Sequence, residues 1–200
     1  MRCPTNIQEV EAIGVDYMGF IFHPSSPRFI DTPPSYLPSK CKRVGVFVNP
    51  TLKEVKRRAK QFQLDLIQLH GDETIELCQE VKELGLELIK AFHPKTTTDF
   101  LALSPYLPVV DYLLFDHSTT AQPGGTGVSF NWELLNHYQD NTPFLLSGGI
   151  DSNAVPSIHE ITHPSFAGVD INSRFETEPG IKSANQIRTF KKHLNYESNK

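Results

Sequence analysis

Short apolar segments alternate with amphipathic segments along almost the whole chain, and this alternation is the strongest constraint on its fold. The apolar segments are rich in β-branched and aromatic residues and recur at roughly 25-residue intervals, as the strands of parallel βα units do. The predicted strands are Tyr17–Phe22, Arg43–Val48, Leu64–Leu69, Glu87–Phe92, Tyr112–Phe115, Phe144–Ser147 and Gly168–Ile171. The sequence therefore predicts an α/β fold built on one parallel sheet.

Helix signals lie between and around these strands. Thr51 and Glu54 form a capping-box pair at the start of one helix pattern. A second pattern ends at Gly85, and Ser183 begins the last one. Thr5 begins another helix pattern ahead of the first predicted strand.

The late position of the glycine-rich turns distinguishes two α/β architectures. A doubly wound sheet usually carries such a turn after its first strand. Here Gly124–Gly127 and Gly148–Gly149 come near the last predicted strands, where (βα)8 barrels bind phosphate. We therefore predict a (βα)8 TIM barrel rather than a doubly wound sheet. It occupies residues 1–200 as one domain, with a polar, frayed tail at 196–200.

An eight-stranded barrel needs one strand more than the seven predicted here. The chain opens with a helix pattern, and Met1–Pro4 is too short for a strand and is interrupted by proline. We therefore expect the first barrel strand to be missing from this chain, with its natural place before Met1. The edges beside the strands that end at Phe22 and Ile171 would then be unpaired.

Composition and charge exclude several classes of protein. The net charge is -4, and no basic stripe of the kind that binds nucleic acid is present. Three cysteines (Cys3, Cys41 and Cys78) and eight histidines show no metal-binding or disulfide spacing. No apolar run approaches the ~20 residues of a membrane span, and no signal peptide is evident. We expect a soluble, cytoplasmic protein without a metal site or a membrane partner.

Asp116 is the first candidate catalytic residue, because it follows the apolar strand Tyr112–Phe115 directly. In a barrel such a strand tip points into the mouth of the active site. Burial there would raise the pKa of the carboxyl group and suit it to general-acid catalysis near neutral pH. An Asx turn is the alternative. Asp170 is predicted inside its strand, and we expect it to be a buried hydrogen-bonding residue; the alternative is that it points into the site.

Glycines and small polar residues near the last predicted strands indicate phosphate or substrate binding. Gly125 and Gly127 would let backbone amides approach a ligand, although a plain surface loop has the same composition. Asp151 and Asn153 are predicted N-caps of the helix after the next strand. The amides expected to form a phosphate nest belong to Gly148, Gly149, Asn172 and Ser173.

Two further polar side chains lie near strand ends. Arg28 is held in a loop stiffened by Pro24 and Pro27, which suits bidentate binding of a carboxylate, although a surface arginine is the alternative. His70 follows a strand directly, so it could line the site, act as a general base or serve only as a structural hydrogen-bonding group.

Together these motifs resemble those of the phosphoribosylanthranilate isomerase family of tryptophan biosynthesis. They occur in family order from about Asp16 to Lys182, and jointly they are specific. The matching segments are Gly19–Phe22, Ser26–Arg28, Val44–Val48, Gln68–Gly71, Phe115–Asp116, Gly124–Gly127, Ser147–Ile150, Gly168–Ser173 and Pro179–Lys182.

The resemblance implies an isomerase of the aldose–ketose type. It would convert N-(5-phosphoribosyl)anthranilate to 1-(2-carboxyphenylamino)-1-deoxyribulose 5-phosphate by an acid/base Amadori rearrangement, the third step from chorismate to tryptophan. No metal or organic cofactor is implied. The small phosphoribosyl substrate would be the partner, and the protein would be a monomer or a homodimer.

The resemblance also implies roles for the residues already singled out. Asp116 would be the general acid, and Arg28 would bind the anthranilate carboxylate. His70, Gly125 and Gly127 would contact the substrate, and the four amides named above would bind its phosphate.

One functional residue of the family is absent from these 200 residues. The general base is a cysteine in a Lys-aliphatic-Cys-Gly motif at the tip of the first strand, and Met1-Arg2 resembles the continuation of that motif. Cys3 falls a few residues too late to replace this base. We expect the chain as printed to be impaired. A start codon assigned too far downstream or a deliberate truncation is the simplest explanation.

Two alternatives remain from the sequence. One is a lyase similar to indole-glycerol phosphate synthase, in which Lys90 near a strand end would act as an acid. The other is a phosphosugar-binding barrel without catalytic activity.

Overall fold

Seven strands form one parallel sheet in the computed structural model, which describes residues 1–116 and 132–197. The strands are β1 (Tyr17–Ile21), β2 (Lys42–Phe47), β3 (Leu66–Leu69), β4 (Glu87–Phe92), β5 (Tyr112–Asp116), β6 (Phe144–Ser147) and β7 (Phe166–Val169). Each strand pairs with the next one along the chain, always in parallel. A doubly wound sheet would reverse this order at a switch point, so the chain has the α/β barrel fold.

Alternation along the strands divides the buried residues between two faces of the sheet. The inner face is apolar, and its buried residues are Val44, Leu66, Ile89, Ala91, Leu114 and Leu145. The outer face packs against the helices in a larger core that includes Phe20, Phe47 and Phe115. The helices are α1 (Pro4–Glu11), α2 (Leu52–Phe62), α3 (Ile75–Lys82), α4 (Val155–His159) and α5 (Ala184–Glu197). None of the described helices is long and apolar enough to cross a lipid bilayer.

All seven predicted strands are present, and their ends differ from the predicted ones by at most two residues. The last strand differs most in its consequence, because β7 runs over Phe166–Val169 rather than Gly168–Ile171. Its register against β6 shifts between Phe144 and Leu145, which accommodates one extra residue. Asp170 therefore lies just beyond the strand. The prediction that it lies inside the strand is wrong.

The helix ends confirm some of the predicted caps and correct others. Thr51 caps α2 by accepting a hydrogen bond from the Glu54 amide at 3.2 Å. The first helix has Cys3 at its N-cap, because Pro4 is favoured at the first helical position. The N-cap of α4 is Ala154, so the prediction that Asp151 or Asn153 caps this helix is wrong. The Asp151 side chain instead accepts a hydrogen bond from the amide of Asn153.

Three 3₁₀ segments and one hairpin complete the described structure. The 3₁₀ segments are Thr97–Leu103, Trp132–His137 and Ser173–Phe175. Strands β8 (Glu176–Glu178) and β9 (Ile181–Lys182) form an antiparallel hairpin that the sequence pattern does not predict. Gly125 and Gly127 lie outside the described residues, as do 198–200 of the tail predicted to fray.

The barrel is open between β1 and β7 within the described residues. Each of these strands has a single partner in the sheet. The Met1 nitrogen donates a hydrogen bond to the Gly19 carbonyl at 2.8 Å, so the start of the printed chain lies against β1. The side chain of Asn6 makes two hydrogen bonds of 2.8 Å with the backbone of Lys182, which joins α1 to the hairpin. A barrel lacking one strand has this arrangement.

A buried ion pair supports the turn after β3. Lys90 and Glu73 are both almost fully buried, and Nζ lies 3.1 Å from Oε2. The Glu73 carboxylate accepts hydrogen bonds from the amides of Asn49 and Gly71, and Lys90 donates to the Gly71 carbonyl at 2.7 Å. The pair therefore holds the backbone of Gly71 from both sides.

Removing the charge of Glu73 should destabilise the protein strongly, because Lys90 would keep a buried charge without a counter-ion. We expect Glu73→Gln to lower the free energy of unfolding by about 3–5 kcal/mol, measured by urea denaturation. Glu80→Gln, at an exposed position on α3, is the matched control and should change stability by less than about 0.5 kcal/mol. A loss below about 1 kcal/mol for Glu73→Gln would contradict the role of this pair.

Candidate functional site

Asp116 and His70 meet at the carboxyl ends of β5 and β3. The Asp116 residue is 6 % exposed, and its Oδ2 lies 2.9 Å from His70 Nε2. The other ring nitrogen of His70 lies 2.9 Å from the Gln68 Nε2 amide, which is a donor. In the Nε2–H tautomer, His70 accepts from Gln68 and donates to the carboxylate of Asp116.

His93 belongs to the same cluster although the sequence analysis overlooked it. It follows β4 directly, as His70 follows β3, and its Nδ1 donates to the main-chain carbonyl of Asp116 at 3.0 Å. The two imidazole rings pack edge to face, with centroids 5.6 Å apart. The signal that could have found His93 is its place immediately after a strand, which is the rule already used for His70 and Asp116.

A second carboxyl group, that of Asp170, faces the same cluster from the end of β7. Desolvation raises its pKa, although the charges of Lys182 and His70 and a hydrogen bond with Ser147 act in the opposite direction. The charge of Asp116 adds to the increase. Asp170 is thus a partly buried hydrogen-bonding residue that faces the predicted acid, so the alternative in which it points into the site describes it better than a purely structural role.

The residues predicted to bind phosphate follow two adjacent strands. Gly148 and Gly149 come directly after β6, and both have positive φ angles, of 89° and 72°. Asn172 and Ser173 follow β7, which pairs with β6, and the Asp170 amide donates to the Leu146 carbonyl at 2.7 Å. The two loops therefore begin side by side. Successive amides in such turns can point at one anion.

Arg28 is bound to a residue that the sequence analysis did not single out. Its Nη2 lies 2.7 Å from the Oε2 of Glu176, and its Nε lies 2.9 Å from the same oxygen. Glu176 also accepts a hydrogen bond from Lys182 Nζ at 3.0 Å, and Lys182 donates to the side chain of Asn172 at 2.6 Å. No periodic pattern could have indicated these contacts, because the hairpin β8–β9 brings the residues together.

Two residues considered in the sequence analysis lie elsewhere. Cys3 is at the N-cap of α1, where its sulfur lies 3.1 Å from the hydroxyl of Thr5. Hydrogen bonds from the Thr5 side chain and the Asn6 amide lower the pKa of this thiol. Lys90 points to the helix-facing side of β4, since its neighbours Ile89 and Ala91 line the inner face. This position contradicts the role of Lys90 as an acid at the strand ends.

Asp116, His70 and His93 form one cluster of acid–base side chains among the described residues. No group of three His, Cys, Asp or Glu side chains within 1–116 and 132–197 is placed to hold a metal ion. The cluster can donate or accept a proton at Asp116, hold an anion at the glycine-rich loop after β6, and pair a second anion with Arg28.

Known proteins match this chain over nearly its whole length. The isomerase named N-(5'-phosphoribosyl)anthranilate isomerase in Phocaeicola vulgatus is 43 % identical over 190 residues, which cover 95 % of this chain and 92 % of that protein. The protein of the same name in Parabacteroides distasonis is 42 % identical, covering 95 % of this chain and 88 % of that one.

Solved structures give the same result. A phosphoribosyl anthranilate isomerase from Thermotoga maritima superposes with a TM-score of 0.80 at 29 % identity, covering 98 % of this chain and 97 % of that one. A phosphoribosyl anthranilate isomerase in complex with reduced 1-(o-carboxyphenylamino)-1-deoxyribulose 5-phosphate superposes with a TM-score of 0.77 at 28 % identity, covering 98 % and 99 %. The family model described as N-(5'phosphoribosyl)anthranilate (PRA) isomerase matches residues 2–193, and this chain belongs to that family.

Proposed function

We propose that the site isomerises N-(5'-phosphoribosyl)anthranilate to 1-(2-carboxyphenylamino)-1-deoxyribulose 5-phosphate, a step of tryptophan synthesis. The observation that carries the proposal is the partly buried hydrogen bond between His70 and Asp116 at the mouth of the barrel. Family membership supports the same reaction.

The reaction needs a proton at the ribose ring oxygen and the removal of a proton from C2'. We assign the first task to Asp116 as general acid. When the acid donates its proton to the ring oxygen, the C1'–O4' bond breaks, the lone pair of the anthranilate nitrogen forms a C1'=N bond, and the carboxylate of Asp116 remains. Loss of the C2' proton then gives an enolamine, which tautomerises to the ketone product. The Nε2–H of His70 is aimed at this carboxylate and stabilises it as it forms.

Both ends of the substrate carry negative charge, and we assign each end its own binding residues. Arg28 pairs with the carboxylate of the anthranilate ring, since its guanidinium still has N–H bonds beyond those given to Glu176. The amides of Gly148, Gly149, Asn172 and Ser173 bind the phosphate. Gly125 and Gly127 remain proposed substrate-contacting residues outside the described part of the chain.

Removal of the C2' proton requires a base, and we assign this role to none of the described residues. The resemblance assigns this role to a cysteine in a Lys-aliphatic-Cys-Gly motif, and Cys3 is engaged with Thr5 at the start of α1. We propose that a polypeptide limited to residues 1–200 binds the phosphosugar but turns it over poorly. Phosphosugar binding without turnover is thus the second function that these residues support.

Biological context follows from the same proposal. We place the reaction in the cytoplasm, where phosphorylated intermediates are retained. A monomer and a homodimer are both compatible with the site, and a relative from Thermotoga maritima is described as dimeric.

Turnover should appear when a strand that carries the family's cysteine motif is added before Met1. We expect residues 1–200 alone to convert N-(5'-phosphoribosyl)anthranilate at least about 10²-fold more slowly than the same chain preceded by a strand ending in Lys-Ile-Cys-Gly. Product formation, separated by chromatography, is the measurement. In the extended chain, Asp116→Asn should lower kcat by about 10²–10⁴-fold, because the amide cannot donate the acid proton.

One control variant and two contradicting outcomes complete this test. Replacing the added cysteine with serine should abolish the gain, since the hydroxyl is a far weaker base than the thiolate. Rapid turnover by residues 1–200 alone would contradict the absence of the base. Unchanged turnover in Asp116→Asn would contradict the role of that residue as the acid.

The raised pKa of Asp170 predicts a pH-dependent stability. A carboxyl whose pKa is raised by folding stabilises the protein fully below its unfolded pKa of about 3.9, and this stabilisation is lost as pH rises through the folded pKa. Lys182, His70 and Asp116 face this group. Because Asp170→Asn stays neutral, its melting temperature relative to wild type should be higher at pH 7 than at pH 4. Asp140→Asn, at an exposed position, is the control. An equal difference at both pH values would contradict the prediction.

A further inference from the structure

A single carboxylate, that of Glu176, accepts hydrogen bonds from three residues: Arg28 in the loop after β1, and Gly180 and Lys182 in its own hairpin. Its side chain is 4 % exposed. Arg28 donates from Nε and Nη2, Lys182 donates from Nζ at 3.0 Å, and the Gly180 amide donates at 3.1 Å. Such a dense set of donors fixes the carboxylate in one orientation.

We propose that Glu176 is a positioning residue that orients the guanidinium of Arg28, so that the site selects a 2-carboxyaryl phosphosugar over one with an unsubstituted ring. The inference rests on the proposed function, in which Arg28 binds the ring carboxylate. It adds the residue that makes this binding selective.

The geometry of the guanidinium explains how Glu176 could act. A guanidinium offers a side-on edge made by Nε and Nη2 and an end-on edge made by Nη1 and Nη2. Glu176 occupies the side-on edge, with both of its oxygens within 3.0 Å of Nε. The plane of the group is thereby fixed, and the end-on edge is presented in one direction. A carboxylate of the substrate can pair with that edge without waiting for the arginine to be ordered.

Charge also favours a second anion at this place. Burial would raise the pKa of Glu176, but the hydrogen bonds of Arg28 and the charge of Lys182 outweigh it and lower this pKa. Glu176 is therefore ionised at neutral pH. Together the three side chains of Arg28, Lys182 and Glu176 retain one positive charge, which a bound carboxylate would neutralise. Without Lys182, Arg28 alone would face two carboxylates, that of Glu176 and that of the ligand, and the group would carry a net negative charge.

The surroundings hold both partners of the pair in place. The Arg28 amide donates to the Ser26 hydroxyl at 3.1 Å, which shapes the loop after β1. The buried guanidinium of Arg58 on α2 bonds to Asp31 at the end of that loop and lies over the ring of Phe22. On the other side, Lys182 connects Glu176 to Asn172 in the loop assigned to phosphate. Glu176 thus lies between the residues proposed for the two ends of the substrate.

The test compares two ligands in binding to residues 1–200, since binding requires no catalytic base. The first ligand is reduced 1-(o-carboxyphenylamino)-1-deoxyribulose 5-phosphate, and the second is the same compound with a phenyl ring lacking the carboxylate. Isothermal titration calorimetry gives both dissociation constants. Wild type should bind the carboxylated ligand more tightly.

Glu176→Gln should reduce affinity for the carboxylated ligand by roughly 10- to 100-fold, the effect of losing a charge-assisted hydrogen-bond arrangement. Affinity for the phenyl ligand should stay within about threefold of wild type. Glu178→Gln, an exposed position on the same hairpin, is the matched control and should leave both constants unchanged. Glu176→Asp keeps the charge but shortens the side chain, so it serves if the glutamine variant does not fold. It too should lose affinity selectively for the carboxylated ligand.

Each outcome has a distinct meaning. An equal loss for both ligands, or no loss for either, in the folded variants would overturn the positioning role of Glu176 while leaving the proposed function intact. If wild type binds neither ligand, the proposed function itself fails, and this inference fails with it. If wild type binds both ligands equally, the assignment of the ring carboxylate to Arg28 is wrong, which also overturns the inference.

Discussion

The in-order parallel pairing of seven strands is the constraint on which the rest of the structure depends. Parallel pairing places every carboxyl end at one rim of the barrel, so residues distant in sequence become neighbours there. His70, Asp116 and Asp170 meet in this way, although each follows a different strand. The apolar inner face below them excludes water, which is why burial shifts the pKa of Asp170. The parallel pairing of the strands therefore accounts both for the polar cluster at the rim and for the apolar packing beneath it.

Two ion pairs, Glu73–Lys90 and Glu176–Arg28, hold backbone and side chains in place near this rim. Glu73 and Lys90 lie behind the rim and hold the turn that carries His70, through hydrogen bonds to Gly71. Glu176 lies beside the rim and holds Arg28. In both cases a buried carboxylate is stabilised by several N–H donors, so its orientation is fixed before any ligand arrives. Such preorganisation would suit the proposed substrate, which carries a phosphate at one end and a ring carboxylate at the other.

Sequence reasoning predicted the strands and the residues at their tips because both depend on local patterns. Apolar runs indicated all seven strands. Asp116 and His70 were found because each is a polar residue that directly follows a predicted strand. The same rule would have found His93. The partnership of Arg28 with Glu176 could not be predicted, because it joins loops separated by 148 positions through an unpredicted hairpin. The N-caps assigned to Asp151 and Asn153 were wrong since an Asx turn competes for the same side chain.

A crystal structure of residues 1–200 with reduced 1-(o-carboxyphenylamino)-1-deoxyribulose 5-phosphate would test the central claim most directly. The account predicts the phosphate at the amides of Gly148, Gly149, Asn172 and Ser173. It predicts the ring carboxylate on the end-on edge of Arg28, and Asp116 within hydrogen-bond reach of the oxygen at C4' of the opened sugar, the former ring oxygen. A ligand bound elsewhere, or one whose sugar lies beyond reach of Asp116, would contradict the assignment of this rim as an isomerase site.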